Sequence, residues 1–426
     1  MSILSLWAKN YKNLEFYSQD LELQNLNILV GANGSGKSNL VGLFNLLQLS
    51  VSPNLEAGSG FAYACDYLGG THLLSFKQKR PATIQIHYKF QGIEETHSQP
   101  IHLDLKLRVS QSTESIEIQE ESLYSPLKGD ETQPFYYYKF HEQTVTSGML
   151  SILQPDGRQK FQRISDIPVN ALGLISIDER IQNDEEVREL LLKSSIYAVR
   201  KHLLKEIRGW RFYNANNMNS QRIRNAEPKI SSSSLNTYLS ENGENLAAVL
   251  EELFNESLDF EERFNEAVKQ LFPMTRRIRV TRAGRLNLTI EWSVQGMDDV
   301  FYLRDMSDGS VRMLCWAAIL LSPKLPSLIV LDEPEIGIHI AWLKILASWI
   351  HYAAQRTKVI ILTHSSDLLD CFTDCSDAVI SHNLKADGLV SLDRIEEEAF
   401  KARLEEGWQL GDLYRVGEPS IGGWPW

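Results

Sequence analysis

The sequence predicts an α/β fold: a P-loop nucleotide-binding core interrupted by an antiparallel β lobe and a helical lobe. Three observations predict it. The apolar run Asn27-Ile28-Leu29-Val30 leads into Gly31-Ala32-Asn33-Gly34-Ser35-Gly36-Lys37-Ser38, which satisfies G-x-x-x-x-G-K-[ST], and Leu40, Val41, Leu43, Phe44, Leu46 and Leu47 then follow at helical spacing. Two later apolar runs, Leu328-Ile329-Val330-Leu331 and Val359-Ile360-Ile361-Leu362, each end in polar residues, as buried strands carrying a site at their carboxyl ends do. Between them and the P-loop, from about Arg80 to Phe140, the hydrophobic period changes from helical to two.

Residues 3 to 30 read as two strands joined by the polar segment Asn10-Tyr11-Lys12-Asn13 and closing on the strand that feeds the P-loop. A helix from about Ser38 to Leu49 follows, ended by Pro53 and a Gly-Ser loop. Gly31 and Gly36 let the backbone turn its N–H groups inward, and the helix start adds its unpaired donors, so a polyphosphate is held there. Gly31, Asn33, Gly34, Gly36, Lys37, Ser38 and Asn39 form the nucleotide-binding set. Within it Lys37 reaches the β- and γ-phosphates and Ser38 ligates Mg²⁺.

The stretches 83–90, 101–107 and 115–119 alternate apolar with polar, the mark of an antiparallel sheet wet on one face. Tyr136-Tyr137-Tyr138 either stacks bases or divides between core and surface. Residues 184 to 208 read as one long helix, with too few heptads for a coiled-coil arm. A polar loop from Asn214 to Ser234 carries Arg222 and Arg224, and residues 244 to 272 give two further helices before Pro273. Residues 276 to 292 read as a hairpin turning near Ala283-Gly284. Its arginines, Arg276, Arg277, Arg279, Arg282 and Arg285, suit a DNA phosphate backbone, or a solvated hairpin ion-paired to acidic helices.

Ser307-Asp308-Gly309-Ser310 precedes the apolar helix of residues 313 to 321, and its hydroxyl and helix-start N–H groups offer a second anion site. With one P-loop already holding a nucleotide, this terminus is aimed at a different molecule of it. At the end of the 328–331 run Asp332 holds Mg²⁺ through water and Glu333 polarises the attacking water. His364, after the 359–362 run, hydrogen-bonds the γ-phosphate.

Bulk properties restrict the alternatives. A hydrophobic content of 43% with 23% charged residues is that of an ordinary globular chain, and the net charge of -12 excludes a basic nucleic-acid coat. Cys371 and Cys375 lack a second Cys or His pair at ligand spacing, so the four cysteines read as reduced thiols rather than a zinc site. Neither a signal peptide nor a membrane-length apolar run is present, so a cytoplasmic protein without membrane contact is expected.

Taken together, Walker A at Gly31 to Ser38, the signature-like Ser307-Asp308-Gly309-Ser310, Walker B at Leu328 to Glu333 and the switch His364 resemble ABC-type ATPase heads of the RecF, SMC and OLD branch. Asp332-Glu333-Pro334-Glu335-x-Gly-x-His339 is closer to these than to transporters, and Asn242-Gly243-Glu244-Asn245-Leu246-Ala247 and Gly422-Gly423-Trp424-Pro425-Trp426 are similar to predicted bacterial AAA-type ATPases. The resemblance implies a fold split as 1–50 with 275–395 for the ATPase core, 51–180 for an inserted β-rich lobe, 181–274 for a helical lobe and 396–426 for a tail. It also implies an ATP-sandwich homodimer in which Lys37 and Ser38 of one copy bind ATP and Mg²⁺ while Ser307 and Gly309 of the other cap the γ-phosphate. Asn10, Lys12 and Asn13 match the N-terminal loop near the nucleotide, and Glu335 and His339 fall where the dimer interface crosses. Arg312 either ties the signature helix to the phosphate cap or pairs with an acidic neighbour.

Neither a Toprim domain after His364 nor long coiled coils are expected, so the chain resembles a head without its own effector. The function implied is an ATP-hydrolysing dimeric switch acting on DNA or on a separately encoded effector, in phage defence or DNA repair. The runners-up are a transporter's ATP-binding subunit and an ATP-binding assembly module with little turnover.

Overall fold

The computed structural model describes residues 2–16, 20–52, 60–74, 82–93, 99–109, 115–127, 130–144, 146–153, 161–177, 185–192, 195–229, 237–396, 398 and 400–422. Pro53 and its Gly-Ser loop, Ser234, and the closing Gly423-Trp424-Pro425-Trp426 lie outside these residues. The chain forms two compact units, each assembled from separate stretches: 1–24, 34–210 and 382–393 in one, and 25–33, 211–381 and 394–426 in the other. These stretches cut across the sequence-based lobes.

The first unit is built on an eight-stranded sheet ordered Phe161–Pro168, Ser147–Leu153, Asp130–Glu142, Ile116–Leu127, Ile101–Val109, Thr83–Phe90, Ile3–Lys9 and Leu21–Glu22. Every neighbouring pair is antiparallel. Period-two patterning sets its faces: Ile84, Ile86, Tyr88 and Phe90 are buried while the residues between them are half-exposed. That apolar face covers the helix Lys37–Val51. Tyr88 donates to the Leu43 carbonyl at 2.7 Å, and Phe44 meets Trp210 edge-on at 5.7 Å.

Tyr137 and Tyr138 are both buried and Tyr136 is half-buried, with the Lys139 ammonium 3.4 Å from its ring centroid. Two successive side chains reach the core because the register shifts between Leu123 and Tyr124 on the facing strand. The tyrosine run therefore divides between core and surface.

Three expectations need correction. The polar segment that begins at Asn214 is not loop throughout, since it carries the helix Ser220–Asn225. Residues 3 to 30 form four strands, Ile3–Lys9, Leu14–Glu15, Leu21–Glu22 and Leu26–Val30, because the polar joint is itself followed by two-residue strands too short to show a period. Residues 184 to 208 contain two helices, Glu185–Leu192 and Ser195–Arg208, rather than one.

In the second unit Arg211–Asn214, Leu328–Asp332, Lys358–Leu362, Leu26–Val30 and the first residues of Val379–Leu384 lie side by side, all parallel. The middle strands are apolar almost without interruption because this sheet is buried on both faces. The helices Leu246–Glu256, Leu258–Leu271, Asp308–Leu320 and Leu343–Ala354 bury Phe260, Phe264, Trp316 and Ile350 in the same core. Thr275–Ala283 and Asn287–Val294 form the expected hairpin, with Ala283 opposite Asn287 and Gly284 at φ 75°, where a left-handed turn residue is required.

Candidate nucleotide site

Leu26–Val30 is buried along its whole length and delivers the chain into the P-loop, which turns on Gly34 at φ 78° and Gly36 at φ 79°. A Cβ on Gly36 would stand 2.9 Å from Asn13 Oδ1, so only glycine lets Asn13 approach the helix start. The same Asn13 oxygen accepts from Asn39 Nδ2 at 2.7 Å. Asn13, expected from the family pattern, and Asn39, from the P-loop set, thus brace the loop together. Asn10 and Lys12 hold left-handed backbone at φ 61° and 47°, and the Lys12 N–H donates to Leu73 O at 2.7 Å. Burial lowers the Lys12 pKa.

Around Gly34 the space is open, with nothing within 4 Å of an added Cβ, and Asn33, Gly34 and Ser38 are exposed. Lys37 is buried, its Nζ 3.5 Å from Ser35 Oγ. An open glycine-lined turn, a helix start and a lysine form a donor set that fits a polyphosphate with its Mg²⁺.

His382 was not foreseen. Its Nδ1 lies 3.3 Å from the Ser35 carbonyl, which can only accept, so Nδ1 carries the proton. Burial, and then the Lys37 ammonium, lower its pKa to about 3, and Nε2 is buried without a hydrogen-bond partner among the described residues. The sequence around it, Val379-Ile380-Ser381-His382, matches no motif.

Across the second unit's parallel sheet, Asp332 is in register with Leu362 and Leu362 with Leu29. Asp332, Glu333, His364 and the P-loop's first residue, Gly31, therefore share one carboxyl edge. Asp332 Oδ2 accepts from Asn214 Nδ2 at 2.6 Å. Glu333 sits at φ 51°, pinned by its N–H to Leu362 O at 2.9 Å. One of its carboxylate oxygens accepts from Asn216 Nδ2 at 3.1 Å and the other lies 3.8 Å from His364 Nε2. Asn214 escaped the sequence reading because Arg-Phe-Tyr-Asn is too short a strand to show periodicity, and Asn216 lies in the turn beyond it.

Glu335 lies two residues beyond Glu333. It is turned inward, accepting from Thr363 Oγ1 at 2.6 Å and from the His364 N–H at 3.3 Å, and burial raises its pKa. His339 is exposed and its Nδ1 accepts from the Ala341 N–H.

Ser307 caps the helix Asp308–Leu320, its Oγ accepting from the Ser310 N–H at 3.2 Å, and it is exposed. Arg224 holds this start from behind, pairing with Asp308 at 2.6 Å and donating to Met306 O at 3.0 Å. Arg312 pairs with no acidic neighbour among the described residues; its Nη1 donates to the carbonyls of Ala215 at 2.8 Å and Ile336 at 3.1 Å. A Cβ on Gly309 would stand 3.2 Å from Gly337 O, so glycine lets the signature helix lie against the turn after Walker B.

This arrangement defines an ABC-type ATPase head with the fold of SMC heads. The chain belongs to the family described as "AAA domain, putative AbiEii toxin, Type IV TA system", whose model matches residues 26–370. Among solved structures it is similar to an SmcHead bound to the C-winged helix domain of ScpA, at 15% identity and TM-score 0.53, covering 94% of this chain and 99% of that one. Two further heads are similar. An Smc head with an extended coiled coil from Pyrococcus furiosus gives 15% identity, TM-score 0.47 and coverage of 95% and 99%; the SMC head from Thermotoga maritima gives 12%, 0.42 and coverage of 93% and 100%. No curated protein matches. No helix among the described residues is long and apolar enough to cross a membrane.

Proposed function

We propose that this protein is an ATP-hydrolysing switch in which two copies close over ATP, and that closure acts on DNA or on a separately encoded effector. The observation that carries this reading is Glu333. A non-glycine residue held in left-handed backbone costs on the order of 1–3 kcal/mol, and here it turns a partly exposed carboxylate toward His364. Glu333 polarises the attacking water and His364 hydrogen-bonds the γ-phosphate. Lys37 and the loop's N–H groups bind the phosphates, and Ser38 and Asp332 hold Mg²⁺, which when bound neutralises phosphate charge. The exposed Ser307 and the half-buried Gly309 cap the γ-phosphate from the second copy. The family's description as a toxin of a type IV TA system supports a defence setting.

In the basic hairpin Arg277 pairs with Glu261, and Arg279 with Glu291 at 2.6 Å. Arg276, Arg282 and Arg285 are exposed, with no partner found among the described residues. Phosphate release and molar mass, measured with ATP and with or without duplex DNA, test the proposal. Mass is expected to double with ATP, and changing these three arginines to Ser to weaken DNA binding and reduce the log–log salt slope by about 2–3. A monomer at saturating ATP, or no release, overturns the switch; unchanged DNA affinity assigns the hairpin to structure.

His382 gives a narrower expectation. His382→Asn, whose amide nitrogen can stand in for Nδ1, should keep ATP affinity within about threefold, whereas His382→Leu should lose roughly tenfold. A folded pKa below the unfolded 6.5 means that the ring's contribution is full above pH 6.5 and is lost as pH falls toward 3. Melting temperatures between those limits should accordingly fall less in His382→Leu than in the wild type. Titration calorimetry with ATP and pH-dependent melts check both.

A further inference from the structure

Apart from Gly422, which opens the Gly-Gly-Trp-Pro-Trp segment, the last described stretch belongs to none of the motifs above. Its helix, Leu410–Arg415, is seated by Leu410 and Leu413, and Ile421 follows, all three fully buried in the second unit's core. Gly411 lies so close to the helix Ser366–Asp370 that a Cβ would fall 2.1 Å from Ser366 O, and its N–H donates to Asp370 Oδ1 at 2.6 Å. Arg415 bridges Asp367 at 2.7 Å and Asp370 at 3.0 Å. That helix begins just after His364.

The same stretch also reaches the P-loop's first glycine. Tyr414 donates its hydroxyl to Gly31 O at 3.3 Å. Gly422, at φ 69°, lies where a Cβ would meet Gly31 Cα at 3.0 Å and Val30 O at 3.2 Å. These are backbone atoms, which cannot swing aside as a side chain can. Core packing explains Leu410, Leu413 and Ile421. It does not require a hydroxyl on Gly31 or a bare Cα beside it.

We propose that residues 410–422 are a positioning strap of the nucleotide site, fixing Gly31 relative to the helix that follows His364 so that ATP affinity depends on the strap. Tyr414 and Gly422 are its positioning residues. The inference rests on the ATP reading above. Burial, and then the Glu335 carboxylate, raise the Tyr414 pKa, in keeping with a neutral hydroxyl beside that acid.

The full chain carrying Tyr414→Phe or Gly422→Ala is compared with the wild type in binding of a fluorescent ATP analogue and in steady-state phosphate release. Tyr414→Phe is expected to raise KM for ATP about three- to tenfold with kcat within about twofold, the loss of one hydrogen bond at the site. Gly422→Ala should raise KM by roughly tenfold or more, since strain falls on Gly31 itself. A merely structural strap would lower the folded fraction and hence kcat at unchanged KM. That result overturns the proposal, as does wild-type KM in Tyr414→Phe, whatever becomes of Gly422→Ala. Failure of the wild type to bind the analogue overturns the ATP reading itself, and the strap with it.

Discussion

Glu333→Gln is expected to lower kcat for ATP hydrolysis by about 10²–10⁴ while leaving ATP binding intact, so that an ATP-bound dimer accumulates. Gln has the shape of Glu and keeps an oxygen to accept from Asn216, but it loses the charge proposed to polarise water. Backbone strain does not distinguish the two, because Gln at φ 51° meets the same steric cost as Glu. Folding is therefore preserved and the change falls on chemistry. Glu335 is the neighbouring carboxylate that could be mistaken for the base, yet its oxygen is committed to Thr363 and the His364 N–H, and burial opposes its ionisation. Phosphate release and molar mass with ATP measure the outcome. Wild-type turnover in Glu333→Gln would remove Glu333 from its role, and a variant monomeric at saturating ATP would remove the dimer.

The parts of the fold legible in the sequence are those whose signal is local. Strand, glycine turn and helix are contiguous at the P-loop, and the 328–332 and 358–362 strands announce themselves by unbroken apolar runs. The hairpin and its turn were legible for the same reason. What escaped was brought in by topology. Asn214 reaches Asp332 only because a four-residue strand pairs with Walker B, and Arg224 reaches Asp308 from a helix of six residues. His382 meets Ser35 across most of the chain's length, as Tyr414 meets Gly31. No periodicity connects such partners, because long-range neighbours are chosen by how sheets close rather than by spacing.

Mixing two inactive variants should restore activity if the site is completed by a second copy. Lys37→Ala removes the ammonium proposed to meet the β- and γ-phosphates, and Ser307→Arg fills the proposed signature cap, so each alone is expected to fall roughly 100-fold. The signature is suited to act outward: Arg312 and the Gly309–Gly337 approach fix its helix on the body of its own copy. Arg224 also neutralises Asp308, which would otherwise repel a phosphate at that helix start. In an equal mixture half of the dimers pair one variant with the other. Each such dimer has a doubly damaged site and an intact one, formed by the P-loop of the Ser307→Arg copy and the signature of the Lys37→Ala copy. Recovery is therefore expected at about a quarter of wild-type turnover in a freely exchanging symmetric dimer. If Lys37 and Ser307 instead served the same nucleotide within one copy, mixing would yield only the average of the two variants. Phosphate release from the mixture, incubated before ATP is added, separates the cases by more than tenfold, because no arrangement within a single copy regenerates a whole site from two broken ones.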